Sequence, residues 1–315
     1  MKLESKRHII KFYVLVAFVF LIFNAIGALL INVFFNEEER AKGDKTYFLS
    51  AMGILFVMFA FYTVYQYLKN TPKIIVEKNR IFFNKEMFNI NDIRFINLAC
   101  KIPFKFIGRY PMEGFYIEFK NGKEKFVYDD MYSNIWKIKD YLKQVVEDKK
   151  EYKPIKTQEI NPSQVENEHF AYYSNFQLLG FSGITHFGFI LFLIYMSFIN
   201  DNINGNYFII ILILVFFLFH SWLSHHYGIS KNHLIIKNFN LPFIFITKVY
   251  KLDDIEEIVF ETHQKRPNGL RVITKNFQSK LFYGASLYDN TWRELKKDLR
   301  KKGIKVRDEC IDYEY

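Results

Sequence analysis

The sequence predicts an α+β membrane protein with two pairs of transmembrane helices, each pair followed by a small β-sheet or barrel domain that one amphipathic helix closes. Three observations predict this architecture: four long runs without charged residues, a motif repeated near the end of each half, and hairpin patterns between the runs. Half of the 315 residues are hydrophobic and 36 are phenylalanine, which lipid-facing helices use freely.

Four runs lack Asp, Glu, Lys and Arg, and each is long enough to cross a bilayer. About 20 apolar residues at a rise of roughly 1.5 Å span a hydrocarbon core of roughly 30 Å. A cleaved secretory signal is the alternative for the first run, but its apolar stretch continues well past the small residues at 25–27. We therefore expect four spans. The runs are 12–36, 46–68, 170–200 and 202–224.

A repeat divides the chain into two similar halves. The stretch YSNIWKIKDYL, from Tyr132, returns from Tyr288 as YDNTWRELKKDL, and Trp136 and Trp292 occupy the same place in the two stretches. The sequence therefore predicts one unit used twice, with an extra stretch at 238–249 in the second copy. The predicted segments are two spans at 1–68, a polar domain at 69–150, a linker at 151–169, two spans at 170–226 and a second polar domain at 227–315.

Each polar domain is predicted to be a small sheet followed by one helix. In the first domain, β-branched and aromatic runs flank 77–79 and the pair Asn121-Gly122. An Asn-Gly pair is a strong hairpin signal, because both central residues of a type I′ turn need positive φ. From Ser133 the apolar residues recur at helical spacing. The residues predicted on the solvent side of this helix are Lys137, Lys139, Asp140 and Lys143.

Four aromatic residues near the two helices are interpreted as structural anchors. Trp136 and Trp292 are expected to pack each closing helix into its sheet. Tyr132 and Tyr288, just before the helices, are expected to pin the corner between strand and helix. Ligand recognition by the tryptophans is the alternative, but an apolar stripe at helical spacing more often packs against a core.

The order of these elements, with the step Ile90-Asn-Asp-Ile93 in one copy and Leu252-Asp-Asp-Ile255 in the other, resembles the bacterial pleckstrin-homology-like domain. That domain is found beside paired membrane helices in bacterial membrane proteins. The resemblance covers 69–146 and 227–303. It implies a scaffolding or membrane-surface role rather than catalysis, and it brings no catalytic residues with it.

The distribution of charge predicts the orientation. The net charge is +10, and Lys and Arg collect at the chain start and in the two polar domains, whereas the loop 201–206 has none. By the positive-inside rule, both termini and both domains are expected in the cytoplasm, and the protein in the cytoplasmic (inner) membrane. Cys100 and Cys310 then lie in a reducing compartment, and they predict neither a disulfide nor a metal site.

The basic residues supply candidates for binding anionic lipid or a partner protein. Each Lys or Arg close to an anionic leaflet strengthens membrane binding by about 1 kcal/mol. The alternative is a plain solvated face with the usual positive-inside bias. No recognition motif predicts nucleic acid. The loop candidates are Lys101, Lys105, Arg109, Lys265 and Arg266, and those on the last helix are Arg293, Lys296, Lys297, Arg300 and Lys301.

Catalytic and cofactor motifs are missing from the sequence, which has no phosphate-binding Gly-rich loop, HExxH, CxxC or nucleophile elbow. We therefore expect no enzymatic activity and no cofactor, and predict a membrane scaffold whose domains bind a partner protein or the inner leaflet. A homo-oligomer stays open. The alternative is a small transporter, or a metal- or haem-linked protein using His186 and His220; the absence of charge in the spans favours the scaffold.

Overall fold

The computed structural model is a mixed α+β structure with four α-helices and several small sheets in the part of the chain that it describes. The chain divides into two compact units, Met1–Ile155 and Lys156–Tyr315, and this boundary falls inside the predicted linker. The described residues are 2–36, 43–106, 109–155, 160–173, 188, 191–192, 195, 225–238, 247–263, 266–283 and 291–309.

Two helices of the first unit, α1 at Leu15–Phe35 and α2 at Asp44–Asn70, contain stretches long and apolar enough to cross a membrane. With the π-helical turn before α1, the candidate spans are Ile9–Phe35 and Thr46–Asn70. Only 6% and 17% of their most apolar windows are buried, whereas the core helix of a soluble domain is mostly buried. The exposed apolar surface therefore favours lipid as the neighbour of both helices.

The third and fourth predicted spans lie almost wholly outside the described residues. Beyond 170–173, the described positions within them are Gly188, Leu191, Phe192 and Tyr195, which are helical. One difference from the prediction is visible at the start of the third run, because Ala171–Tyr173 form a strand rather than the first turn of a helix.

The helices α1 and α2 approach each other closely at two glycines. A Cβ added to Gly27 would lie 2.7 Å from Val57 Cγ2 and 2.8 Å from Gly53 O. A Cβ added to Gly53 would lie 2.7 Å from Gly27 O. Small residues of this kind let the backbones of membrane helices come into contact. The packing of the pair therefore depends on the absence of a side chain at both positions.

The first sheet of this unit is built around the helix pair. Its strands are β1 Lys2–Glu4, β2 Ile74–Glu77, β3 Arg80–Phe83 and β4 Glu86–Asn89, in the order β1-β2-β3-β4. β1 precedes α1 and β2 follows α2, and the two strands pair directly, with Leu3 opposite Val76. The helix pair is thus an insertion between adjacent strands. The sheet begins at residue 2, ahead of the boundary expected at residue 69.

The second sheet consists of β5 Ile93–Lys105, β6 Arg109–Phe119 and β7 Glu124–Tyr128, in the order β5-β6-β7. The hairpin predicted around 77–79 is confirmed by β2 and β3, and that at Asn121-Gly122 by β6 and β7. Gly122 has a φ of 75°, which glycine adopts without strain. β5 and β6, of 13 and 11 residues, form a long hairpin.

The helix α3 at Ile135–Leu142 buries Ile135, Ile138 and Leu142 at its apolar face. The predicted solvent face is wrong at two positions, because Lys139 and Asp140 are 2% and 1% exposed. The Lys139 ammonium donates to Asp129 Oδ2 at 2.6 Å and lies over the ring of Phe115. A lysine can be buried here because a carboxylate and an aromatic face replace its water.

The second unit repeats the strand order of the first and adds one strand, β15, at the edge of its second sheet. Its strands are β8 Ala171–Tyr173, β9 His226–Ile229, β10 His233–Lys237, β11 Thr247–Lys251, β12 Ile255–His263, β13 Arg266–Thr274, β14 Ser279–Tyr283 and β15 Lys305–Asp308, and its helix is α4 Thr291–Lys301. The sheets have the orders β11-β10-β9-β8 and β14-β13-β12-β15. β8 and β9 pair although residues 174–225 separate them.

The two units also share backbone hydrogen bonds at equivalent positions. In the first unit the Ile90 amide donates to Asn79 O at 2.8 Å, and in the second the Leu252 amide donates to Asn232 O at 2.9 Å. Both bonds tie a 3-10 turn before the second sheet to a hairpin of the first sheet. The two units therefore share contacts as well as strand order.

The buried faces of the two closing helices correspond at a sequence spacing one residue longer than the spacing of their tryptophans. The buried faces are Ile135, Ile138, Lys139 and Leu142 in α3, and Trp292, Leu295, Lys296 and Leu299 in α4. By this spacing Trp292, 6% exposed and 4.9 Å from the ring of Phe260, corresponds to Ile135. Trp136 is only partly buried and has the Lys137 ammonium over its ring. The repeated tryptophans thus occupy different environments.

Candidate functional site

The end of the β5–β6 hairpin lies against the helix α2. The ring of Phe104 is 5.3 Å from that of Tyr67, and the ring of Phe106 lies 5.9 Å from Tyr67, 6.3 Å from Tyr62 and 6.1 Å from Phe59. Aromatic pairs at these separations are in favourable contact. A polar sheet therefore extends an aromatic hairpin along a candidate membrane span.

The hairpin reaches well up the helix. Phe59 precedes Asn70, the last residue of α2, by 11 positions, which is about 16 Å of helix at roughly 1.5 Å per residue. Tyr62, Tyr65 and Tyr67 lie in the same part of α2. Tyrosine is enriched where a span meets the headgroup region. The contact with Phe106 thus falls beside the segment of α2 that has the composition of a membrane interface.

Three of the predicted basic candidates belong to this hairpin. Across its two strands Lys101 pairs with Glu113, and Lys105 pairs with Arg109. Lys105 and Arg109 are the last paired positions before the tip, so the hairpin brings them to the same end as Phe106. Lys101 lies further from the tip and is partly buried. The hairpin therefore combines aromatic and basic residues at the end next to α2.

Two tyrosine hydroxyls hold the hairpin and the end of α2 to the rest of the unit. The hydroxyl of Tyr128 donates to Pro103 O at 3.1 Å, and burial raises the pKa of Tyr128 to about 12. The hydroxyl of Tyr132 donates to Pro72 O at 2.6 Å, and burial holds the pKa of Tyr132 far above its usual range. Both hydroxyls therefore stay neutral donors at physiological pH.

The start of the first span is fixed to the end of the second. Arg7 donates to Thr71 O from Nε at 3.1 Å and from Nη2 at 2.8 Å, and its guanidinium lies 5.0 Å from the ring centre of Phe12. Lys11 pairs with Asp130 at 2.5 Å. These contacts join the entry and exit of the helix pair to one another and to the turn before α3.

The second unit holds the start of its own insertion in a similar way. The hydroxyl of Tyr173, at the end of β8, donates to the carboxylate of Asp298 on α4. Burial and then this bond raise the pKa of Tyr173 to about 12, and the same bond, with Lys301 beside it, lowers the pKa of Asp298. The closing helix therefore binds the residue from which the chain leaves the sheet.

The remaining predicted residues are distributed unevenly. Lys296 is 6% exposed, pairs with Asp308 at 2.6 Å and lies over the ring of Phe260, so its placement on a solvent face is wrong. Arg266 begins β13, opposite His263 in the hairpin equivalent to β5–β6. The candidates that are exposed on α4 are Arg293, Lys297, Arg300 and Lys301. Those that lie outside the described residues are Lys265, Tyr288, His186 and His220.

Sequence reasoning missed the aromatic contacts of the hairpin and the buried ion pairs. The signal for the hairpin was the alternation of Phe104 and Phe106 with basic residues. For the ion pairs it was a lysine at the same step of both apolar stripes, Lys139 and Lys296. A third buried pair, Arg271 with Glu261 at 2.5 Å, joins two strands and had no such signal.

Within the described part of the chain, no three or more His, Cys, Asp or Glu side chains come together as a metal site would require. No protein-family model, curated protein or solved structure matches the chain. The functional argument therefore depends on the geometry of the chain itself.

Proposed function

We propose that this protein is a non-enzymatic integral membrane scaffold whose two pleckstrin-homology-like units lie in the cytoplasm against the anionic inner leaflet. The observation that carries this proposal is the contact between the β5–β6 hairpin and α2, which brings Phe106 against Phe59 and Tyr62. Because Phe59 and Tyr62 belong to the candidate span Thr46–Asn70, the hairpin tip beside them lies at the level of the membrane interface in this proposal. Its aromatic side chains then enter the boundary between headgroups and acyl chains.

The strand pairing on either side of 174–225 supports a second pair of spans. The segment 174–225 leaves the sheet after β8 and returns to it at β9, and Asp201 is its only Asp, Glu, Lys or Arg. A segment of this composition that starts and ends at one sheet crosses the bilayer an even number of times. Two crossings, with Asp201 in the turn between them, fit its length.

With two pairs of spans, the polar units of the proposed protein lie on one side of the membrane. Strands that flank an even number of crossings lie on the same side, so the first and second units face one compartment. The excess of Lys and Arg in the polar parts of the chain supports the cytoplasm as that compartment. The repeated strand order and shared backbone bonds support an origin by internal duplication.

The chemistry of the hairpin end favours lipid phosphate as its ligand. Lys105 and Arg109 flank the aromatic tip at facing positions of the ladder. Beside an anionic leaflet each cation contributes about 1 kcal/mol, and Phe106 adds apolar burial. Such a surface would hold the first unit flat against the leaflet, where it could present its outer strands to other proteins.

A spin label at the hairpin tip tests the proposal. In protein with Cys100 and Cys310 changed to serine, Ile107→Cys carries the label, and Asn121→Cys in the β6–β7 turn is the control. In vesicles of phosphatidylcholine with phosphatidylglycerol, we expect the label at 107 to be more accessible to oxygen than to a water-soluble nickel reagent. The control is expected to show the reverse. Insertion places the first label about 5–10 Å below the headgroup surface.

A charge variant measures how much anionic lipid contributes to the insertion of the hairpin tip. Changing Lys101, Lys105 and Arg109 to glutamine is expected to raise the label toward water in phosphatidylglycerol vesicles. The matched variant, with the exposed residues Lys78, Lys85 and Lys149 changed to glutamine, is expected to leave its depth unchanged. Equal water accessibility of the labels at 107 and 121 would contradict the proposed function.

A further inference from the structure

The two units differ in the strand pairing of one equivalent stretch. Phe95–Leu98 of β5 and Glu257–Phe260 of β12 are equivalent, because each follows a bulge two residues into its strand. In β5 the ladder passes from Ile93 opposite Phe119 to Phe95 opposite Glu118. In β12 it passes from Ile255 opposite Thr274 to Glu257 opposite Ile273 in the same way. The two stretches therefore begin at the same place in equivalent sheets, although the β5 ladder shifts register again after Asn97 and the β12 ladder only after Glu261.

In the second unit this stretch has a partner on its outer edge. β15 runs parallel to β12 and pairs with each residue from Glu257 to Phe260. Lys305 and Arg307 of β15 contact Glu257 at 3.2 and 3.6 Å. The Glu309 amide continues the pairing by donating to Phe260 O at 2.9 Å. Each residue of β12 from Glu257 to Phe260 is at most 5% exposed.

In the first unit no described strand pairs with the same edge, which is called the open edge below. Among the described residues, β5 pairs with β6 alone. Phe95 is 52% exposed, Asn97 is exposed and Ile96 is only partly buried, in contrast to the burial of their counterparts. An unpaired, apolar strand edge is a template for another strand. An extended segment that pairs with β5 would therefore bury this edge.

The chain after α3 does not fill this edge. The Lys153 amide donates to Gln144 Oε1 at 2.8 Å, and the ring of Tyr152 lies 5.2 Å from that of Tyr141. Tyr141 itself donates to Lys78 O in the β2–β3 turn. The segment after α3 is thus held toward the first sheet, whereas the segment after α4 returns to the second sheet as β15.

The outer face beside the open edge favours cations. Phe95, Tyr116 and Phe126 form a row across the three strands, with ring centres 6.1 and 5.3 Å apart. Glu124 lies beside the row and accepts a hydrogen bond from the Tyr116 hydroxyl at 3.0 Å, whereas Glu118 already pairs with Arg94 at 2.9 Å. Aromatic faces with carboxylates beside them attract Lys and Arg side chains.

We propose that the open edge of β5 at Phe95–Leu98 docks an extended segment of a partner protein, which adds as a parallel strand. The segment carries Lys or Arg on the outer face and an apolar residue between them, as Lys305, Val306 and Arg307 do on β12. This inference rests on the proposed scaffold function and supplies the class of partner. Main-chain pairing gives the affinity of such strand addition, and the alternating side chains give the selectivity.

A synthetic peptide with the sequence of Gly303–Glu309 is the probe, used with the full-length protein in detergent and followed by fluorescence anisotropy. The Glu309 amide points to β12, so by alternation the Arg307 amide points there as well and the Val306 amide points away. N-methylation at Arg307 is therefore expected to abolish binding. N-methylation at Val306 is expected to leave binding unchanged.

Two protein variants locate the site. Phe95→Ala is expected to weaken binding about ten-fold, a typical loss for a truncated aromatic contact. Met87→Ala, at a residue 54% exposed on β4, is the control matched in exposure and is expected to bind as the wild type does. Both changes are at exposed positions, and unchanged melting temperatures will verify the folds.

Three results would overturn the inference. They are the absence of peptide binding, equal losses from the two N-methyl peptides, and binding unaffected by Phe95→Ala. Conversion of a wild-type dimer into monomers by the peptide would instead assign the edge to a second copy of the chain. None of these results changes the depth of the label at 107, so failure here is distinguishable from failure of the proposed function.

Discussion

Lys139→Met is expected to destabilise the protein by about 3–5 kcal/mol, the cost of leaving one member of a buried ion pair without the other. The side chains of Lys139 and Asp129 are 3% and 7% exposed, and the ammonium lies 2.6 Å from Asp129 Oδ2. Methionine keeps the length of the side chain but removes the charge. The carboxylate of Asp129 then stays in the core with no cation beside it.

Thermal unfolding of the full-length protein in detergent, followed by circular dichroism, measures this effect. The control is Lys137→Met, at an exposed position of the same helix, and this variant is expected to melt close to the wild type. The double change Lys139→Met with Asp129→Asn is expected to recover most of the stability, because it removes both charges. A single variant no less stable than the control would refute the account of the closing helix.

Gly53→Leu is expected to separate α1 from α2. Even a Cβ at position 53 would lie 2.7 Å from Gly27 O and 2.8 Å from Ile31 Cγ1, and a backbone oxygen cannot move aside as a side chain can. Overpacking of this kind costs about 1–3 kcal/mol, and the larger leucine reaches the upper end of that range. Gly53→Ala is expected to show a smaller loss in the same direction.

The control for this prediction is Ala51→Leu, which adds the same bulk to the same helix at an exposed position. The measurement is the melting temperature in detergent, together with the rate of proteolysis between the two spans. Gly53→Leu is expected to melt lower and to be cleaved faster than Ala51→Leu. Identical behaviour of the two variants would show that the glycine contact does not hold the helix pair together.

The sheets were largely predictable because their signals are local. Alternating apolar residues and the Asn121-Gly122 turn predict β6 and β7 from a few neighbouring positions. β1 and β8 escaped prediction because each has three residues and finds its partner across an inserted segment. A three-residue strand in an aromatic or charged context has no periodicity to detect.

The closing helices show why a sequence repeat can mislead. The motif around Trp136 and Trp292 aligns the copies at one spacing, but the buried faces align at a spacing one residue longer. The tryptophan side chain is large enough to pack from either position. Lys139 and Lys296 were expected in solvent because lysine usually is, and the carboxylates that permit their burial come from a distant turn and strand.

The candidate site was predictable in its basic residues but not in its geometry. Lys101, Lys105 and Arg109 stood out beside aromatic residues in one segment. That this segment is a hairpin lying along α2 follows from contacts between residues far apart in the sequence, such as Phe106 with Phe59, 47 positions earlier. Such contacts leave no pattern in a single sequence.

The account depends on two inserted helix pairs that leave both polar units on one side of the membrane. Labelling of single cysteines with a membrane-impermeant maleimide tests this most directly. In intact cells, Lys42→Cys and Asn204→Cys, each in an otherwise cysteine-free protein, are expected to react. Native Cys100, partly exposed on β5, is expected to react only after permeabilisation. Protection of Asn204→Cys in intact cells, with reaction after permeabilisation, would contradict the second helix pair and with it the proposed architecture.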